Sequence, residues 1–348
     1  MTKTQNAPVT DPKPTHNGAS SGLGSRAGAQ EPVKISFLLI PGFPLMSYAA
    51  AVEPLRAANL IAGRNLYEWQ NLALADEKSC CSTGFDMTCS ANFSAFTPTR
   101  QHGDILFVCA GGNPFSFDDP AVFGWLRTLD RNGIALGGVS GGPVLLARAG
   151  TMAAHRYTVH WEHGEALREI YPDHNIEQSL YVLDRARLTC AGGVAPIDMM
   201  HALIAHHHGS LFAQQVSDWF LHTQIRPPGG AQRSGIAERY GVTHPALLKS
   251  IEYMQTRIAN PPQINSIAQF VNISERQLSR IFKENLGQSA TGFFRELRLS
   301  HGERLLKQTS LSIAEIAFAT GFSNSGHFST NFTKTYGATP LEFRKPRK

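Results

Sequence analysis

The feature that most constrains this 348-residue chain is a repeat in its last third. Ile267-Ala268…Ile273-Ser274 returns 49 residues later as Ile316-Ala317…Phe322-Ser323. Leu278-Ser279…Phe282…Gly287 returns 50 residues later as Phe328-Ser329…Phe332…Gly337. The slip of one residue falls in the turn or early in the second helix of the unit. Apolar residues recur at helical spacing over 244–258, 264–271, 274–286, 291–307, 313–319 and 325–336, and no strand pattern interrupts them. Two copies of one helix-turn-helix unit, joined by a longer helix, account for this order.

Charge separates this region from the rest. The formal charge of the chain is +5, but residues 235–348 hold 15 Lys/Arg against 8 Asp/Glu, whereas residues 1–234 hold 17 against 19. The C-terminal third therefore carries +7 and the remainder −2, which points the former toward a polyanion. In the first copy, Leu278, Ile281, Phe282 and Leu286 share one helical face and are expected in the core. Ser274 and Gln277 have capping-box spacing. Arg276, Gln277, Ser279, Arg280 and Lys283 take the other face. A solvated charged face is the ordinary explanation for such a helix. The repeat and the charge excess favour a recognition helix instead, in which arginine meets guanine O6 and N7 bidentately. In the second copy Phe328, Phe332 and Tyr336 form the apolar face, and Ser325, Gly326, Ser329, Thr330 and Asn331 point outward, suited to phosphate or weak base contacts. His327 has two readings, a phosphate donor or a packing and capping residue.

Upstream the pattern is different. Residues 1–31 are rich in Gly, Ser, Thr, Pro and Asn and predict a disordered tail. Short apolar runs at 35–40, 69–75, 105–110 and 134–139, separated by helical segments such as 47–62 and 120–131, predict buried parallel strands with crossovers. The expected architecture is a flavodoxin-like, doubly wound α/β domain over 32–222, a linker over 223–244 opened by Arg226-Pro227-Pro228-Gly229-Gly230, and an all-α domain over 245–348. No apolar run approaches a membrane span, and no secretory signal is visible at the N-terminus. Five cysteines without CxxC spacing favour neither a disulfide framework nor structural zinc, and fit a reducing cytoplasm. His201 and His206-His207-His208 read as a solvated helix end, and Cys80, Cys81 and Cys89 as inert thiols. No metal or cofactor is expected.

Gly138-Val139-Ser140-Gly141-Gly142 follows the run at 134–139 and satisfies G-x-S-x-G between a strand and a helix. Such a turn displays Ser140 at the carboxyl end of the sheet, where α/β domains bind ligands. With His160 twenty residues on, in His160-Trp161-Glu162-His163, an amide or ester hydrolase using Ser140 and His160 is an alternative.

Residues 245–348 resemble the DNA-binding domain of AraC-type transcription regulators. The resemblance rests chiefly on Ile313-Ala314-Glu315-Ile316-Ala317…Gly321-Phe322-Ser323…Phe328-Ser329…Phe332…Gly337…Pro340…Phe343-Arg344. It implies two recognition helices in successive major-groove segments, with DNA contacts at Arg276, Ser279 and Arg280 and at Ser325, Ser329 and Thr330. Residues 32–222 resemble the PfpI and class I glutamine amidotransferase superfamily through Pro41-Gly42-Phe43, Gly111-Gly112 and the elbow at Ser140. That superfamily has cysteine at the elbow and, in many members, an acid shortly after the first strand; here Ser140 and Ser47 stand in those places. The two halves together resemble GlxA-type regulators, including a subgroup that senses glycine betaine, carnitine or arginine. The resemblance implies a former active-site cleft kept as a sensor pocket, no enzymatic activity, and a homodimeric activator. Its expected ligand-binding wall is Phe43, Met46, Tyr48, Phe115, Ser140, His160 and Trp161, with Glu53 or Glu162 as counter-charge. Asn113 and backbone N–H groups near Gly111 and Gly141 are candidates for holding a carboxylate. Aromatic faces attract quaternary ammonium groups, and Trp161 is the leading candidate.

Overall fold

A computed structural model describes residues 31–96 and 104–344. Apart from Glu31, the tail expected over 1–31 lies outside the described residues.

The first half runs β1 (Val33–Leu39), α1 (Leu45–Ala62), β2 (Tyr67–Ala73), β3 (Lys78–Cys80), β4 (Asp86–Thr88), β5 (Ala91–Asn92), β6 (Ile105–Ala110), α2 (Pro120–Arg131), β7 (Ala135–Ser140) and α3 (Gly142–Arg148). It continues through β8 (Arg156–Thr158), α4 (Trp161–Ile170), β9 (Asn175–Glu177), β10 (Tyr181–Asp184), β11 (Arg187–Cys190), α5 (Ala195–His208) and α6 (Ser210–Trp219). The main sheet has the order β10-β11-β7-β6-β1-β2-β5. All its pairings are parallel except the β10–β11 edge hairpin. Alternation along β1 explains the two layers. Val33, Ile35, Phe37 and Leu39 pack with α1, α5 and α6, while Leu38 and Ile40 pack with α2 and α3. Both faces are covered, so the central strands β6 and β7 are buried throughout and β1 nearly so, while β2, nearer the edge, keeps Glu68, Gln70 and Asn71. This is the doubly wound α/β architecture expected from the sequence. The short strands β3, β4, β8 and β9 lie in two small separate sheets; three-residue pairings leave no periodic signal.

The second half is helical: α7 (Ile236–Tyr240), α8 (Pro245–Gln255), α9 (Ile264–Phe270), α10 (Glu275–Leu286), α11 (Ala290–Gln308), α12 (Ile313–Ala319), α13 (Ser325–Tyr336) and α14 (Pro340–Arg344). Two cores divide along the repeat. Leu247, Ile251, Ile267, Leu278, Phe282 and Phe294 form one; Leu299, Leu305, Ile316, Phe322, Phe328 and Phe332 form the other. Helix α11 contributes to both. The Ser274–Gln277 capping box is present, and Ser312 with Glu315 forms a second one at the start of α12.

The segment after α6 is no free tether. Arg226 donates from Nε and Nη2 to Asp198 Oδ2 at 2.9 and 2.6 Å, and its backbone N–H donates to Asp198 Oδ1. His222 Nε2 lies 2.9 Å from the same carboxylate, which is fully buried. Pro228 O accepts from Leu180 N–H, and the Gln232 amide donates to Thr158 Oγ1, Val159 O and Ser179 O. The segment over 223–244 also contains α7, whose Tyr240 packs its ring on Phe293 of α11.

Candidate functional site

The strand order puts β1, β6 and β7 side by side, so the loops after them meet at one end of the sheet. The Pro41-Gly42 and Gly111-Gly112 loops touch closely: a Cβ on Gly111 would lie 2.7 Å from Gly42 O. The elbow comes next. Ser140 sits at φ 60°, a left-handed conformation that only a constraining surround sustains in a non-glycine residue. Two glycines supply that surround. Any side chain at Gly142 would run into Val108 O at 1.9 Å, and one at Gly192 would meet Ser140 Cβ at 2.6 Å.

His160 N–H donates to Ser140 O at 3.3 Å, which hangs the start of α4 on the elbow. The His160 ring caps α4 through Nδ1, accepting from Glu162 N–H at 3.4 Å. A chain of rings runs from there. Trp161 and His160 centroids are 5.2 Å apart, His160 and His163 5.9 Å, and His163 and Phe115 6.0 Å. Burial pushes the His160 imidazole below its ordinary range and, more strongly, His163 down to about 4, so both rings are neutral near pH 7. Among the described residues no hydrogen bond joins Ser140 Oγ to His160, so the nucleophile–base contact of a hydrolase is not formed. His160, Glu162 and His163 each bring a ligand atom within 4.8 Å of the others. By donor count they suit a divalent cation, but they stand at the positive end of a helix, which disfavours one.

The expected wall therefore falls into two groups. Ser140, His160, Trp161 and Glu162 lie at the elbow and the start of α4, and Phe115, from the turn after β6, meets His163 of α4. Phe43 and Tyr48 belong to the core, edge-on to one another at 5.6 Å, and Tyr48 OH donates to Asn71 Oδ1. Burial pushes the Tyr48 phenol up to about 12. Met46 projects into solvent from the first turn of α1. Glu53 pairs with Arg56 along the same helix, so it is no counter-charge for the pocket. The Asn113 side chain is also committed elsewhere: its Oδ1 accepts from Phe115 N–H, and its amide donates to Lys307 O of α11. Phe115 and Ala166 both pack into the core of the second helix-turn-helix unit. His201 pairs with Ser217 and His207 is buried beside Tyr67, so the histidine run is partly structural rather than a solvated end.

Sequence reasoning missed the contact between the halves. Glu165, one turn along α4 from Trp161, receives Arg304 Nε at 2.8 Å, Arg304 Nη2, and the His301 ring at 2.8 Å. Burial pushes its carboxyl up, but the His301 and Arg304 hydrogen bonds and charges outweigh burial and hold it at about 2. Both partners are on α11, the helix shared by the two cores. Nothing in one sequence pairs residues 136 and 139 positions apart.

At the other end, Arg276, Gln277, Ser279, Arg280 and Lys283 are all exposed on α10. Arg280 has only a loose 3.8 Å approach to Glu284, and Arg276 has no ion pair among the described residues. On α13, Ser325 and Thr330 are exposed and Ser329 half-buried. Thr330 Oγ1 donates to Gly326 O. His327 lies edge-on to Phe322 with Nδ1 3.3 Å from Ser323 Oγ, in keeping with its packing reading.

Residues 33–206 match the DJ-1/PfpI family and residues 267–346 match a helix-turn-helix domain family. An α/β domain of the first kind joined to a paired helix-turn-helix domain defines the class: a transcription regulator, not an enzyme. The regulator GlxA of Rhizobium meliloti is 45% identical over 313 residues, covering 90% of this chain and 95% of that protein. The regulator CdhR of Pseudomonas aeruginosa is 39% identical, covering 88% and 90%. A crystal structure of an AraC family transcriptional regulator from Pseudomonas putida aligns over 54% of this chain and all of its own, with 25% identity and a TM-score of 0.50. The chain belongs to the GlxA-type AraC-family transcription regulators. Among the described residues no helix is long and apolar enough to cross a membrane.

Proposed function

We propose that this regulator is a cytoplasmic, homodimeric activator whose α/β domain senses a small cationic or zwitterionic metabolite such as glycine betaine, carnitine or arginine. It reads its operator through Arg276, Ser279 and Arg280 of α10 and through Ser325, Ser329 and Thr330 of α13. The observation that carries the DNA part is that repeat-related helices present their polar faces to solvent, with Arg276 and Arg280 exposed and Arg280 held only by a loose 3.8 Å approach to Glu284. An arginine near the start of a recognition helix is placed for bidentate contact with guanine. The short polar groups of α13 suit positioning on phosphate more than base discrimination. The sensing part is supported by the chain of rings from Trp161 to Phe115 beside the elbow, with Glu162 exposed next to it.

For the effector to shift the regulator toward its active state, it must bind that state more tightly than the other. A thermal-shift screen of betaines, carnitine, amino acids and polyamines tests the sensing part: one class raises the melting temperature of the full chain. If none does while operator binding is intact, the cationic-metabolite reading falls. Arg280→Ala tests the DNA part. It is expected to relax specificity at one base pair, at a cost of about 1–3 kcal/mol. Equal loss on cognate and random DNA would reduce Arg280 to a phosphate contact.

A further inference from the structure

The face of Trp161 already carries a cation. The Arg233 guanidinium carbon lies 4.1 Å from the centre of its ring. Arg233 reaches it from the segment between the two halves, and its neighbour Gln232 is anchored by three hydrogen bonds to Thr158, Val159 and Ser179. Two of those residues immediately precede His160 and Trp161 in sequence. The sensor wall and the segment leaving the sensor are thus held together at one point.

We propose that Arg233 is a resident stand-in for the effector's cationic group, and that the effector acts by displacing it from Trp161. The inference rests on the cationic-metabolite reading of the preceding section. Three observations carry it. The contact has the geometry by which an aromatic face takes a cation, and a quaternary ammonium or guanidinium group would occupy the same volume, so the two exclude one another. Arg233 is exposed in an irregular segment, so little else is lost when it swings out. Its charge is also disfavoured where it sits: partial burial comes first, then the like charges of Arg239 and Arg304, opposed by Tyr240 and Glu165. Release has a direct mechanical reading. Three residues after Arg233, α7 begins, and its Ile236 and Tyr240 pack against the core of the first helix-turn-helix unit. A cation on Trp161 therefore frees the chain at the point where it enters the DNA-binding half.

Tetramethylammonium chloride is a suitable probe because it brings the cation and nothing else. It is titrated against the full chain, its Arg233→Gln variant and its Arg233→Lys variant. Binding is followed by the indole N–H resonance of Trp161, assigned through Trp161→Phe. Hydrogen exchange of residues 231–244 is measured with and without the probe. Without the resident cation, Arg233→Gln is expected to bind about 3- to 30-fold more tightly than the natural chain. Arg233→Lys, which keeps a competing charge, stays near the natural value. Exchange over 231–244 rises with the probe in the natural chain and is already raised in Arg233→Gln. Equal affinities in all three proteins, with the Trp161 resonance responding, would overturn displacement and leave Trp161 as a cation site. A Trp161 resonance that answers in none of them, Arg233→Gln included, would overturn the cation-site reading and this inference with it. Tighter binding with no change in exchange would confine Arg233 to competition and overturn its role in release.

Discussion

Replacing Glu165 with glutamine removes the charge from the carboxylate through which the α/β domain grips α11. Arg304 and His301 lose their ionic partner, while the amide keeps the shape and one acceptor. The magnitude follows from the carboxyl's acidity, held at about 2 against an ordinary 4.5. At 1.36 kcal/mol per unit this bounds the ionic stabilisation near 3 kcal/mol. The side chain is one-third exposed, so solvent screening brings the expected loss to about 1–2 kcal/mol. The sign of the pH dependence is fixed by the depressed acidity. The stabilisation is fully present above about pH 4.5 and is lost as pH falls toward 2. Urea unfolding of the natural chain and of Glu165→Gln should differ by that amount at pH 7, and the difference should vanish between pH 4.5 and 2. Arg304→Met and the double variant complete a cycle that isolates the pair. A difference that is zero at pH 7, or that persists unchanged at pH 2.5, would refute the argument that an ionised Glu165 joins the halves.

Two further expectations concern the frame around the site. Gly142→Ala forces a Cβ to 1.9 Å from Val108 O, which cannot give way within β6, so the elbow should distort; loss of soluble protein or a melting temperature several degrees lower is expected, and an unchanged melting temperature would contradict the packing. Asp198→Ala strands Arg226 and His222 beside a buried site and should cost about 3 kcal/mol in urea unfolding. Asp198→Asn, which keeps an acceptor, should cost less; equal losses would remove the ionic explanation.

Much of this protein was legible without coordinates. Short, mostly apolar runs marked the strands β1, β2, β6 and β7, because a sheet covered on both faces leaves few polar positions; β2, nearer the sheet edge, keeps Glu68, Gln70 and Asn71. The repeat marked α9 to α13, because each copy needs the same residues to close the same small core. The two guanidiniums of α10 could be placed on its outer face from helical spacing alone, since a single helix decides which residues lie opposite Leu278 and Phe282.

The proposed sensor site was legible only in part. Ser140, His160 and Trp161 are signalled by the elbow and its neighbours in the chain. Phe43 and Tyr48 have the composition of a cation-binding wall, but local sequence does not decide whether an aromatic ring faces a cleft or a core. Tyr48 packs edge-on to both Phe37 and Phe43, and both rings lie in the core. The junction was not legible at all. Glu165, His301, Arg304 and Arg233 are ordinary surface residues by any local criterion. Their partners lie tens to hundreds of residues away, so only the tertiary fold brings a carboxylate to α11 and a guanidinium to Trp161. The two halves and their separate chemistries follow from periodicity and charge, which are local properties of the chain. How one half takes hold of the other was decided by tertiary structure, because it depends on contacts between residues that no local pattern relates.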